Sequence, residues 1–169
     1  MFHVKPLRPS GEVLFFAAAM FHVKHCDPNH LHITSFFRIQ LETSGAACYN
    51  SLAVKIISIV NQKGGVGKTT TCVSLTAALA EQKKRVLLCD FDPQANSTSG
   101  MGVDKTVSKG VYEVLVSDIP AAEAVAHTRF GDVLPSNKAL AGAGIELIGM
   151  ENREYLLRDA LETLRPQYD

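Results

Sequence analysis

Residues 54 to 169 predict an α/β fold with a doubly wound parallel sheet, and three observations carry that reading. The apolar run Val54-Lys55-Ile56-Ile57-Ser58-Ile59-Val60 passes almost directly into a glycine-rich loop, Lys63-Gly64-Gly65-Val66-Gly67-Lys68-Thr69-Thr70. A second β-rich run, Arg85-Val86-Leu87-Leu88-Cys89, ends in two carboxylates, Asp90 and Asp92. Extended and helical segments then alternate to the last residue, the order that a parallel sheet with crossover helices requires.

Each element follows from local chemistry. The run 54–60 reads as a buried strand, and Cys72, Leu75 and Leu79 share one face of a helix over 69–82. A strand over 85–90 leads to a polar switch loop, then to short helices near 110–117 and 120–127. Asp118-Ile119-Pro120 separates these two, because proline pushes its predecessor out of the α region. A strand over 129–134 and helices over 138–148 and 151–164 complete the chain. Gly144 stands inside the first of these helices at a cost of about 1 kcal/mol relative to alanine.

The loop has the makings of a phosphate cradle. Gly64, Gly65 and Gly67 let the backbone turn tightly with its N–H groups inward, and Val66 belongs to the same nucleotide-binding loop. Lys68 supplies a point charge to the terminal phosphates, the hydroxyl of Thr69 can ligate Mg²⁺, and Thr70 continues into a helix whose positive end meets the anion. Ligands of open α/β sheets bind at the carboxyl ends of strands, where Asp90 and Asp92 stand. Strand alternation points both to one side, one suited to a metal-bound water and the other to an attacking water.

The usual phosphate loop has glycine where this chain has Gln62. Asn61-Gln62-Lys63-Gly64-Gly65-Val66-Gly67-Lys68-Thr69-Thr70 instead resembles the deviant Walker A loop of ParA/MinD-type ATPases, within the P-loop NTPase fold. Asp90-Phe91-Asp92-Pro93-Gln94-Ala95-Asn96 resembles the switch region of ParA/Soj partition ATPases, and Asp132-Val133-Leu134-Pro135-Ser136-Asn137 resembles their later strand and turn. The likeness covers residues 53 to 169. It implies ATP and Mg²⁺ as cofactors, Lys63 reaching a partner's phosphates across a nucleotide-sandwich homodimer, and Asp92 positioning the hydrolytic water. It further implies a cytoplasmic, nucleoid-associated segregation protein of chromosome or plasmid, a ParB-type DNA-binding protein that stimulates hydrolysis, and non-specific DNA binding. In such proteins the Walker B-like aspartate, the adenine contacts and most DNA-binding residues follow the point where this chain ends, so residues 52–169 are expected to be an N-terminal portion. The alternatives are a MinD-like or other deviant-Walker regulatory ATPase, or an inactive fragment.

Residues 1–51 are of another kind and are expected to be an unstructured, dispensable leader. Five of the six histidines lie there, and Met1-Phe2-His3-Val4-Lys5 returns as Met20-Phe21-His22-Val23-Lys24. His22, His25, Cys26, His30 and His32 are metal-ligand types, but their spacing fits no standard zinc pattern. Codons for Met-Phe-His-Val-Lys-His can spell a reverse-complement palindrome that resembles a parS site, which makes this stretch readable as translated upstream DNA. Leu52-Ala53-Val54-Lys55-Ile56-Ile57 then resembles the family's start. Val13 to Phe21 is apolar, yet its charged, proline-containing lead argues against a signal peptide, and it is too short to span a bilayer.

Composition narrows little else. Seventeen basic and seventeen acidic side chains leave no surplus for a nucleic-acid face. The four cysteines form no C-x-x-C pair, and Cys72 and Cys89 fall where buried free thiols are expected. No membrane partner is expected.

Overall fold

Strands that are apolar along their whole length must be covered on both faces, and the sheet is built accordingly. The computed structural model describes residues 13–19, 38–42, 54–61, 63–153 and 155–169. Its strands are β1 (Val13–Ala19), β2 (Arg38–Glu42), β3 (Val54–Val60), β4 (Leu87–Phe91), β5 (Ala126–Thr128) and β6 (Gly131–Leu134). They form one sheet in the order β2-β3-β1-β4-β6-β5. The four inner strands run parallel, and β2 and β5 close the two edges antiparallel.

Alternation along β4 divides the core in two. Leu87 and Cys89 join Leu134, Val111, Leu115, Leu140 and Leu164 on one side. Val86 and Leu88 join Val133, Ile57, Ile59, Cys72, Leu79 and Met101 on the other. The second side is roofed by α1 (Lys68–Glu81) and flanked by α2 (Asn96–Gly100). The first is covered by α3 (Val111–Val116), α4 (Ala121–Ala124), α5 (Leu140–Glu146) and α6 (Leu156–Glu162). Helices on both faces of a parallel core make the doubly wound α/β arrangement that the sequence predicts.

Several expectations change. The 120–127 helix stops at Ala124, because Ala126–Thr128 pairs instead with Gly131–Val133 as a hairpin. Gly131 takes φ +111° at its turn, and Thr128 Oγ1 donates to the Gly131 carbonyl at 2.6 Å. The predicted 129–134 strand therefore loses its first two residues to that turn, and the sheet is mixed at its edges. The 138–148 helix is α5 followed by a 3₁₀ turn at Leu147–Gly149, and it continues past Gly144. The 151–164 helix shortens to α6.

The larger change concerns the leader. Two of its segments are strands, where no structure was expected, and β1 sits between β3 and β4, pairing Ala19 with both Val60 and Phe91. Val54–Val60 is thus paired along both of its edges, as buried backbone groups demand. The histidine-rich stretch and the pentapeptide repeat lie outside the described residues.

Candidate functional site

The chain leaves β3 and turns at once. Asn61 Oδ1 accepts the Lys63 N–H at 2.9 Å, a local side-chain turn that fixes the entry to the loop. Gly65 and Gly67 adopt φ +70° and +87°, a region where an L side chain is strained, so glycine at these two positions shapes the loop. Lys68 opens α1, and the Thr71 N–H makes the first helical bond, 2.9 Å to the Gly67 carbonyl. The amides just before it point out of the helix end, the ready-made donors of an anion site.

Lys68 Nζ donates to the Lys63 carbonyl at 3.1 Å, one of the three bonds an ammonium can make. The Lys63 side chain is exposed and does not line the cleft, whereas Gly64, Gly65, Val66, Gly67, Lys68, Thr69 and Thr70 do. Asp92, Gln94 and Asn96 face them from the loop after β4, enclosing about 390 Å³. That volume lies in the range of small-molecule sites.

The two aspartates do not share a role or a side. The strand ends at Phe91, so alternation no longer governs Asp92, which lines the cleft and accepts the Gln94 N–H at 2.9 Å. Asp90 is fully buried behind it. Its Oδ2 accepts both the N–H and the hydroxyl of Thr98 at 2.7 Å, and its Oδ1 accepts the Asp92 N–H at 3.2 Å. Burial raises the Asp90 pKa above the usual carboxylate value, with the Thr98 bonds opposing that rise. Asp90 is therefore engaged in holding the switch loop and is not brought into the cleft with Thr69, the other residue expected at a metal. Among the described residues, no group of three or more His, Cys, Asp or Glu side chains converges as a metal site.

Sequence reasoning passed over the residues that fasten this site from behind. Thr98 Oγ1 also accepts the Ser136 N–H at 2.9 Å, tying the switch to the turn after β6. Asn137 in that turn donates to Glu113 at 3.2 Å, and Glu113 reaches back to the Gly110 N–H at 2.8 Å as a cap for α3. A hydroxyl eight residues after a strand-end carboxylate was the available signal. It gains meaning only when the chain folds back, since Thr98 and Ser136 are far apart in sequence. No helix among the described residues is long and apolar enough to cross a membrane.

The chain is similar to known proteins over its phosphate-loop portion. Over 118 residues the chain is 51% identical to the sporulation initiation inhibitor protein Soj of Bacillus subtilis, covering 68% of this chain and 47% of Soj. It is 47% identical over 118 residues to the chromosome partitioning protein ParA of Myxococcus xanthus, covering 68% of this chain and 42% of that protein. Its fold matches the crystal structure of cobyrinic acid a,c-diamide synthase from Mycobacterium smegmatis with bound ATP analog and magnesium. The TM-score is 0.63 at 45% identity, over 65% of this chain and 46% of that one. The chain spans under half the length of each of these relatives. With the AAA_31 family of AAA domains matching residues 54–169, the chain belongs to that family and has ParA and Soj proteins among its relatives.

Proposed function

We propose that this chain is the nucleotide-binding portion of an ATPase that partitions chromosomes or plasmids, working in the cytoplasm on nucleoid DNA. The observation that carries the reading is the cleft itself, in which the Gly64–Thr70 loop after one parallel strand faces Asp92 after another. The ParA and Soj relatives support the cellular role.

The residues present fit ATP and Mg²⁺ on their own chemistry. Loop amides and the Lys68 ammonium hold phosphate oxygens, and the Thr69 hydroxyl is a hard oxygen ligand of the kind Mg²⁺ takes alongside phosphates. When bound, Mg²⁺ neutralises charge developing on the transferred phosphoryl group. Asp92 orients the attacking water, and the exposed Lys63 reaches the phosphates of a second copy in an ATP-dependent sandwich dimer. Stabilising charge and fixing geometry is most of what phosphoryl transfer asks of a protein. The dimer binds DNA non-specifically, and a ParB-type protein stimulates hydrolysis and release.

Three variants of the full-length protein test these roles. Lys68→Ala abolishes ATP binding. Lys63→Ala spares monomer binding and loses dimerisation and hydrolysis, while Asp92→Ala accumulates an ATP-bound dimer. Undiminished turnover in Lys68→Ala and Asp92→Ala sinks the reading. The likeness to the diamide synthase favours a second reading, an ATP-dependent diamide-forming enzyme. ATP turnover that needs cobyrinic acid and is indifferent to DNA selects that one.

A further inference from the structure

The switch loop is gripped from its solvent side by a residue that the nucleotide cleft does not contain. Lys105 Nζ donates to the Gln94 carbonyl and to Asn96 Oδ1, each at 2.9 Å. Gln94 and Asn96 are the two residues that line the cleft beside Asp92. The Gln94 N–H in turn donates to Asp92 Oδ1 at 2.9 Å, so a single residue joins the ammonium to the carboxylate.

Two further features show that this hold has something to oppose. Ala95, between the two gripped residues, takes φ +52°, a conformation that costs an L side chain energy. Its N–H is fixed to the Asp92 carbonyl at 2.8 Å, so relaxing Ala95 would drag Asp92 with it. Lys105 is itself presented by a tight turn, in which Asp104 Oδ1 accepts both the N–H and the hydroxyl of Thr106 at 2.7 Å. A second cavity, lined by Pro93, Gln94, Ala95, Lys105, Lys138 and Ala141, lies against the same loop, so open space adjoins it there.

We propose that Lys105 is a positioning residue for hydrolysis: its ammonium holds Gln94 and Asn96 so that Asp92 keeps its place opposite the phosphate cradle. The part concerning hydrolysis rests on the function proposed above. The part concerning the loop stands without it. Lys105 is exposed and touches no residue of the cradle, so its loss spares both the fold and nucleotide binding.

The test uses the full-length protein as wild type, Lys105→Met and Lys105→Arg. Met keeps the apolar stem without the donors, and Arg keeps the charge. In Lys105→Met, amide exchange across residues 92–98 should speed up roughly fivefold or more, with exchange across 72–82 unchanged. The kcat should fall about tenfold with ATP affinity within about twofold, and Arg should recover most of both changes. Unchanged exchange at 92–98 in Lys105→Met overturns the hold. Faster exchange with full kcat overturns the link to hydrolysis. A wild type that turns over no ATP defeats the proposed function, and the exchange comparison alone then decides whether Lys105 holds the loop.

Discussion

Thr98→Val is the sharpest probe of how the site is held, because it removes one oxygen and keeps the shape. Thr98 Oγ1 donates to the buried Asp90 at 2.7 Å and accepts the Ser136 N–H at 2.9 Å. A hydrogen bond to a charged group contributes about 1.5–3 kcal/mol, and a buried N–H left without an acceptor costs about 1–3 kcal/mol. The Thr98 N–H stays on Asp90, so the two terms overlap and a loss of about 3 kcal/mol is expected. For a chain of this size that lowers the melting temperature by about 6–12 °C. The loss should depend on pH with a definite sign. Burial already places the folded Asp90 pKa above its ordinary 3.8, so its ionised form is costly in the folded state and stability falls as pH rises through the folded value. Removing the hydroxyl raises that pKa further, so the deficit of Thr98→Val is largest at neutral pH and shrinks as pH approaches 3.8. Urea titrations from pH 4 to 8 on wild type, Thr98→Val and Thr98→Ser measure it. A deficit below about 0.5 kcal/mol at pH 7, or one that grows on acidification, refutes the reasoning.

Two other outcomes follow from packing and burial. A Cβ on Gly110 would stand 2.5 Å from the Pro135 carbonyl oxygen, which also accepts the Val111 N–H at 2.9 Å, so Gly110→Ala should cost about 1–3 kcal/mol in a denaturant titration. Gly64→Ala, with nothing within 4 Å of the added carbon, is the control and should leave stability unchanged. Burial, aided by the Asp90 carboxylate, pushes the Cys72 thiol up to about 12, so at pH 8 it should resist a thiol reagent until urea unfolds the chain, as peptide mapping would show.

The parts of this site that were legible in the sequence are those made by neighbours in the chain. The Gly64–Thr70 cradle is contiguous, and its helix starts where the glycines end, so strand, loop and α1 could be placed to within a residue or two. Asp92 was legible because it follows a strand. The expectation that Asp90 and Asp92 share a side came from extending strand alternation past Phe91 to Asp92, where the backbone has already turned. Thr98, Ser136 and Lys105 were not legible, because their chemistry exists only through pairings across the fold. The β5–β6 hairpin was hidden because the helix-favouring run Ala121-Ala122-Glu123-Ala124, which does form α4, leads without a break signal into Ala126–Thr128, where pairing with a strand already in the sheet wins.

The least legible element also sets the width of the cleft. Neighbouring strands lie about 4.8 Å apart, so the single strand between β3 and β4 separates the two strand ends by about 10 Å. Ala19 pairs with both Val60 and Phe91, so those ends are level, and the loops bearing Lys68 and Asp92 start from the same height with one strand's width between them. Removing residues 1–51 takes away β1 and β2 together, leaving β3 without a partner and β4 with β6 alone. Residues 52–169 should then aggregate through the exposed edges, or close up with β3 against β4 and narrow the cleft by about 5 Å. Either outcome removes nucleotide binding. Ala17→Pro is the finer test, since Ala17 lies mid-strand opposite both Ser58 and Cys89, and proline there deletes a ladder N–H. The expected loss is about 1–3 kcal/mol by denaturant titration. A Pro variant as stable as wild type, together with a truncated chain that stays monomeric and melts cooperatively, would show that the slot between β3 and β4 is not held by residues 13–19.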